Sequence, residues 1–201
     1  MSNTIFWYNT KLPSSVVKEV QKIAKASFIK GTIGSGQQNE DIRDSEVQFF
    51  DCENWVAGWL WYYLQKTNRL AFNYDITDFD GNRLQYTKYS KGQHYTWHKD
   101  QDIESFYQCK DYPTSDKRSN DNLELSSEYV RKLSCTLQVS DPKDYEGGEL
   151  EFEDGNGKIH KMDREQGQLC VFDSRLRHRI APITKGTRES VVGWAVGPRW
   201  R

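Results

Sequence analysis

The sequence predicts a mainly β protein in which a sandwich or barrel of short strands is backed by N-terminal helices. Three observations carry that expectation. About the first seventy residues contain two segments whose apolar positions recur at helical spacing, whereas from residue 71 onward the alternation shifts to period two. Paired and clustered glycines punctuate the β-patterned half where hairpin turns are needed. Helices first and many short strands later are the signature of a sheet architecture with helices on one side.

Taken in order, Pro13 opens a helix carrying Val16, Val17, Val20, Ile23 and Ala24 on one stripe, proline being well suited to a first helical turn. A glycine-rich stretch, Gly31 to Gly36, reads as a flexible loop and leads to a short strand around Val47-Gln48-Phe49-Phe50. From Asn54 to about Lys66, Trp55, Trp59, Tyr62 and Tyr63 recur at spacings of three and four, an amphipathic helix whose aromatic face packs on a sheet. Strands are expected near 71–76, 83–90, 93–100, 131–140, 148–153, 158–162, 167–173 and 188–196. Gly147-Gly148 and Asp154-Gly155-Asn156-Gly157 supply the turns between three of them. No period persists between about 101 and 129, where Pro113 and a polar run lie. A loop of that length directly after a strand end predicts a substrate-covering lid.

With 201 residues, 36% of them hydrophobic, the chain has the core-forming capacity of one domain. It is read as a single unit, 1–201: helical support over about 1–70, a β core over about 71–200 and a lid insertion over about 101–130. A formal charge of −1, from 28 basic and 29 acidic residues, argues against a general nucleic-acid or membrane binder. The first residues, Met1 to Trp7, show no basic, apolar leader, so a soluble, cytoplasmic protein is expected. Cys52, Cys109, Cys135 and Cys170 form no Cys-x-x-Cys pair, and Cys135 and Cys170 fall in apolar strand patterns as buried thiols.

The chemistry concentrates in four residues. His98 and Asp100 stand at i and i+2 in Tyr95-Thr96-Trp97-His98-Lys99-Asp100, and His178 and Arg188 follow ten positions apart. Side chains at i and i+2 of a strand share a face. Two imidazoles and one carboxylate, one of them distant in sequence, are the facial triad that leaves half of an Fe(II) octahedron open. The site charge would then be near +1, which favours an anion, and the forked guanidinium of Arg188 suits a carboxylate. By parity Arg188, Ser190, Val192 and Trp194 share one face, so Ser190 can add a hydroxyl donor. Asp102 competes with Asp100, but i+4 on a strand is too far unless the chain turns at Lys99. His94 and His160 complete no better triad, and His160 lies among charged hairpin residues.

The run Leu84 to Asp100, with Tyr89, Gly92-Gln93, Tyr95, His98 and Asp100, resembles the prolyl 4-hydroxylase-like branch of the Fe(II)/2-oxoglutarate dioxygenases. Gly147-Gly148-Glu149-Leu150 is similar to that family's double-glycine turn, and His178 to Trp194 is similar to its H-x9-(K/R) and following Trp. The likeness covers about 84–196 and reaches back to Asn54 and to Phe72-Asn73-Tyr74-Asp75. It implies a double-stranded β-helix (jelly roll), with Fe(II) held by His98, Asp100 and His178. It also implies 2-oxoglutarate as co-substrate, its far carboxylate meeting Arg188 and Tyr89, with ascorbate as reductant. The implied activity is hydroxylation of an unactivated C–H bond, a peptidyl proline by analogy, with release of succinate and CO2. A peptide or protein would be the substrate, a small molecule the alternative.

The chain departs from the collagen-type pattern by carrying Arg188 for Lys, as bacterial and viral relatives do, the PKHD-type hydroxylases among them. It also reads Leu137-Gln138-Val139-Ser140 before the double glycine, which places Gln138 as a co-substrate pocket residue. Tyr95 has the family's substrate position. Strict parity from His98 turns it to the other face, and a bulge would bring it back. Trp194 is expected to floor the pocket, and Trp97 to face outward and pack on the second helix. A nucleic-acid oxygenase of the same superfamily would use the basic cluster Arg175, Arg177, Arg179, Lys185 and Arg188. A non-catalytic jelly-roll binding module would have no reason to keep a complete triad and an anion anchor.

Overall fold

The computed structural model describes residues 4–24, 27–33, 37–101 and 129–200. Its elements run β1 (Ile5–Asn9), α1 (Ser14–Ile23), β2 (Ile29–Lys30), β3 (Arg43–Asp44), β4 (Glu46–Asp51), α2 (Trp55–Thr67), β5 (Asp78–Phe79), β6 (Arg83–Ser90), β7 (His94–His98), β8 (Tyr129–Gln138), β9 (Tyr145–Gly147), β10 (Leu150–Glu153), β11 (Ile159–Lys161), β12 (Gln168–Asp173), β13 (Arg177–Ile180) and β14 (Ile183–Pro198). They form two antiparallel sheets. The major sheet runs β1-β12-β8-β14-β6-β4-β2, with β5 and β9 also on β14; the minor sheet runs β11-β10-β13-β7-β3.

The alternation of side chains along strands decides what lies between the layers. On β12, Leu169 and Val171 turn to the helices, and Cys170 and Phe172 turn to the minor sheet. Helix α2 starts at Asn54, whose side chain accepts from the Val56 and Ala57 amides at 2.9 and 3.2 Å. Its Val56, Leu60 and Leu64 are fully buried against Leu84, Leu133, Leu137 and Val191 of the major sheet. Cutting either leucine back to alanine should cost about 2–5 kcal/mol. A second core of Tyr145, Leu150, Phe152, Phe172, Ile180 and Ile183 fills the space between the sheets at one end. The other end of that space is open and holds the site.

The mainly β, helix-backed jelly roll agrees with the sequence expectation, and four details differ. The first 70 residues hold more than the two helices and the one strand expected around residues 47–50, which is β4: β1 joins the β12 edge of the major sheet and β2 extends the opposite edge beyond β4. Residues 71–76 do not form a strand, because α2 runs into a wide helical turn, Asn68–Phe72. The Asn68 side chain bonds both the amide and the carbonyl of Tyr74 at 2.8 Å, satisfying locally what a sheet partner would have provided. Strand β13, missed because Arg177-His178-Arg179 lacks apolar alternation, is central in the minor sheet. Trp97 does not touch the second helix; it lies on the outer face of that sheet under the guanidiniums of Arg177 and Arg179. Residues 102–128 of the expected lid and 34–36 of the Gly31 to Gly36 loop, Asp102 and Cys109 among them, lie outside the described residues. Among the described residues no helix is long and apolar enough to cross a membrane.

Candidate active site

His98 closes β7 and His178 lies opposite it on β13, the two being direct partners in the minor-sheet ladder. Asp100 follows two residues after the strand ends. Ligand atoms of the three residues all fall within 4.8 Å of one another. His98 Nε2 is 3.8 Å from Asp100 Oδ1, and His178 Nε2 is 3.6 Å from Asp100 Oδ2. Both imidazoles are oriented alike: Nδ1 of His98 contacts the Thr96 carbonyl, and Nδ1 of His178 the Leu176 carbonyl, each at 2.8 Å. A carbonyl only accepts, so Nδ1 carries the proton and the Nε2 lone pair is left for a metal.

Electrostatics agree with that use. Burial, reinforced by the His178 charge, pushes the His98 pKa down to about 3, so the ring is neutral. Burial acts to raise Asp100, but the charges of His178, His98 and Arg131 and a hydrogen bond from Ser134 outweigh it and hold the carboxyl below its ordinary value. Two imidazoles that present Nε2 and one carboxylate are a donor set of the kind that takes Fe(II).

The triad opens into a cavity of about 280 Å³ between the sheets. Arg188, Ser190, Val192 and Trp194 line it from β14, as their shared parity requires. Arg188 is 2% exposed, and among the described residues no carboxylate lies within ion-pair distance of it; its NH1 contacts Ser190 Oγ at 3.3 Å. Burial pushes its pKa down, partly offset by Tyr145 and Tyr89. Tyr89 is its cross-strand partner on β6. The buried Tyr145 hydroxyl has no hydrogen-bond partner of good geometry, though it lies near enough to feel the Arg188 charge. Gly148 explains the double glycine: at φ +67° a Cβ there would stand 2.1 Å from Ile183 Cδ1 and 3.2 Å from Arg188 Cδ. A buried guanidinium that meets hydroxyls and, among the described residues, no carboxylate within ion-pair distance is arranged for an incoming anion.

Tyr95 does face the cavity. The three steps along β7 from Tyr95 to His98 lie opposite two steps along β13 from Ile180 to His178, and the extra residue reverses the parity. Its ring stacks on His98 with centroids 3.5 Å apart, and the Arg43 guanidinium covers the other side at 4.9 Å. Trp194 lines the cavity under the Arg131 guanidinium at 4.0 Å, its indole Nε1 without a partner. Gln138 has the expected parity but is not among the residues that line the cavity, and its amide donates to the Ser140 carbonyl at 3.4 Å. Thr136, two residues earlier, lines the wall instead.

Sequence reasoning missed Arg43, Thr136, Arg131 and Ser134: Arg43 lies on β3, which pairs with β7, and the other three on β8 of the facing sheet, and neither strand's place beside the triad was legible. Arg131 is held by Asp80 at 2.6 and 2.7 Å. The expected basic cluster does not form a groove. Arg175 pairs with Asp173, Arg177 with Glu153, Arg179 with Glu151 and Lys185 with Glu146, while Arg188 is inside.

Two facing antiparallel sheets with a His-Asp-His cluster at the open end define a jelly-roll protein with a candidate mononuclear metal centre. The chain belongs to the 2OG-Fe(II) oxygenase superfamily, whose family model matches residues 84–196. A PKHD-type hydroxylase of Xylella fastidiosa is 31% identical over 109 residues, 54% of this chain and 42% of the relative. The chain therefore matches less than half the length of that relative. A PKHD-type hydroxylase of Gloeothece citriformis is 27% identical over 199 residues, 94% of this chain and 77% of the relative. Among solved structures, a Pseudomonas putida prolyl-4-hydroxylase superposes with a TM-score of 0.67 at 20% identity, covering 98% of this chain and 93% of that one. A Trichoplax adhaerens prolyl hydroxylase, in complex with a hypoxia inducible factor oxygen degradation domain peptide fragment, gives 0.72 at 18% identity, covering 96% and 84%. At these identities the superpositions establish the fold. The superfamily is named for Fe(II) and 2-oxoglutarate, and the donor set above suits the metal and the co-substrate.

Proposed function

We propose that the chain is a single catalytic unit that hydroxylates a C–H bond, a peptidyl proline being the leading substrate, using Fe(II), 2-oxoglutarate and dioxygen. The observation that carries this is the buried, acid-free Arg188 in the same cavity as the triad. His98 and His178 Nε2 and the Asp100 carboxylate would hold the metal by one face. Arg188, with the hydroxyls of Ser190, Tyr89 and Tyr145, would hold the distal carboxylate of the co-substrate. The bound metal supplies activation of dioxygen: 2-oxoglutarate loses CO2 to give succinate, one oxygen atom entering succinate and the other the substrate C–H bond. Tyr95, Trp194 and Arg131 face the remaining cavity and would orient the substrate. Ascorbate would serve as reductant in cycles that end without substrate.

A peptide substrate is supported by the prolyl hydroxylase relatives, one of which is described with a peptide bound. Among the described residues Arg177 and Arg179 are paired with Glu153 and Glu151, which weighs against their use in a nucleic-acid groove. Free thiols at Cys52, Cys135 and Cys170 support a cytoplasmic setting. The test is succinate release and mass-spectrometric gain of one oxygen in a library of proline-containing peptides, run beside methylated oligonucleotides and free amino acids. Turnover coupled to proline peptides is expected. Turnover coupled only to oligonucleotides or amino acids would reject the substrate class.

A further inference from the structure

Asp100 lies beyond the end of β7, where no ladder fixes its backbone, yet a facial triad requires its carboxylate to be fixed to within a fraction of an ångström. We propose that Ser134 is a positioning residue for Asp100: its hydroxyl, backed by Ser174, occupies one carboxylate oxygen and reserves the other for the metal. The inference rests on the metal role proposed above.

Ser134 is completely buried on β8 and its Oγ donates to Asp100 Oδ2 at 2.7 Å. Ser174, also completely buried in the turn between β12 and β13, has its Oγ 2.9 Å from that of Ser134. A hydroxyl has one proton. Because Ser134 gives its proton to the carboxylate, Ser174 must donate to Ser134, and the chain Ser174 to Ser134 to Asp100 has one direction. Each donor strengthens the next. The backbone locks the same corner: the Gln101 amide donates to the Ser174 carbonyl at 2.9 Å, and the Ser174 amide to the Lys132 carbonyl at 3.1 Å.

The two oxygens of Asp100 are thereby made unequal. Both oxygens face the triad, Oδ1 at 3.8 Å from His98 Nε2 and Oδ2 at 3.6 Å from His178 Nε2, but Oδ2 carries the serine hydrogen bond while Oδ1 accepts none among the described residues. An aspartate held this way binds through Oδ1 alone, and the three positions that a bidentate co-substrate and dioxygen need stay open. Without Ser134 the carboxylate is free to rotate and either drift from the metal or chelate through both oxygens.

The test uses Co(II), which is stable in air and whose visible spectrum reports coordination, on the full chain and its Ser134→Ala, Ser134→Thr and Ser174→Ala variants. Ser134→Ala is expected to weaken Co(II) binding by about 10- to 100-fold, the usual effect of losing a partner that orients a ligand, and to change the band shape. Ser134→Thr keeps the hydroxyl and should restore both to within about threefold of the parent. Ser174→Ala leaves Ser134 in place and covers the case in which Ser134→Ala does not fold; a loss of about three- to tenfold is expected. Parent-like affinity and spectrum in Ser134→Ala, or in Ser174→Ala, would overturn the relay, as would a Ser134→Thr variant as impaired as Ser134→Ala. Failure of the parent chain to bind Co(II) would instead overturn the metal assignment beneath it.

Discussion

Replacing Arg188 by methionine should make the metal-free protein more stable and at the same time nearly abolish co-substrate binding. The guanidinium is 2% exposed, has no acidic group within ion-pair distance among the described residues, and burial lowers its pKa despite Tyr145, Tyr89 and Glu149, so folding takes a charge out of water with only partial compensation. Apolar side chains of similar volume in place of buried charges are neutral or stabilising by about 1–4 kcal/mol, and Ile183 and Leu150 already provide an apolar surround. On the binding side, two charge-assisted hydrogen bonds to a carboxylate at about 1.5–3 kcal/mol each amount to roughly 3–6 kcal/mol, or about 10²- to 10⁴-fold in Kd. Urea unfolding of the metal-free proteins measures the first effect, and calorimetric titration of 2-oxoglutarate into the Co(II)-loaded proteins the second. The opposite pair of results, a destabilised variant that binds 2-oxoglutarate as tightly as the parent, would show Arg188 to be a structural residue rather than an anion anchor.

Other consequences are smaller in scope. Because the folded His98 pKa of about 3 lies below the unfolded value near 6.5, the unfolded chain takes up the proton first as pH falls; metal-free stability should drop from pH 6.5 towards 3. Between pH 6.5 and 5 that group alone contributes about 2 kcal/mol, so urea melts of His98→Gln should show a shallower slope across this window. Saturating Fe(II) or Co(II), at about a thousand times Kd, should add about 4 kcal/mol of stability, removable by chelator and absent in His178→Ala when followed by thermal melting. Gly148→Ala brings a Cβ against Ile183 and the Arg188 stem at positive φ, and should cost about 1–3 kcal/mol by denaturant titration while weakening 2-oxoglutarate binding; a neutral result would show that the turn relaxes freely.

Legibility in the sequence followed the range of the interactions. Helix α2 was readable as a helix because its aromatic spacing is a local pattern, but the face was not, since Trp55 and Tyr62 are exposed and Val56, Leu60 and Leu64 meet the sheet. The β14 face was readable because Arg188, Ser190 and Trp194 obey parity along one unbroken strand. The triad was readable from residue types and from likeness to a family motif. Tyr95 was not decided by parity, because the bulge between it and His98 exists only in the pairing with β13. Gln138 shares the face of Thr136 without being among the residues that line the cavity, because alternation tells which face a residue takes and not how far along the strand the cavity reaches. Arg43 and Ser134 come from strands that meet the triad only in three dimensions, and neither sits in a motif of its own. The basic run near the C-terminus looked like a patch because its acidic partners, Glu146, Glu151 and Glu153, are on other strands.

Anaerobic addition of 2-oxoglutarate to the Fe(II)-loaded chain reports metal and co-substrate in one spectrum. A visible metal-to-ligand charge-transfer band should appear in the parent, disappear in His178→Ala, and require far higher 2-oxoglutarate in Arg188→Met. A folded parent chain that binds Fe(II) and shows no such band at any 2-oxoglutarate concentration would contradict the assignment of this cavity.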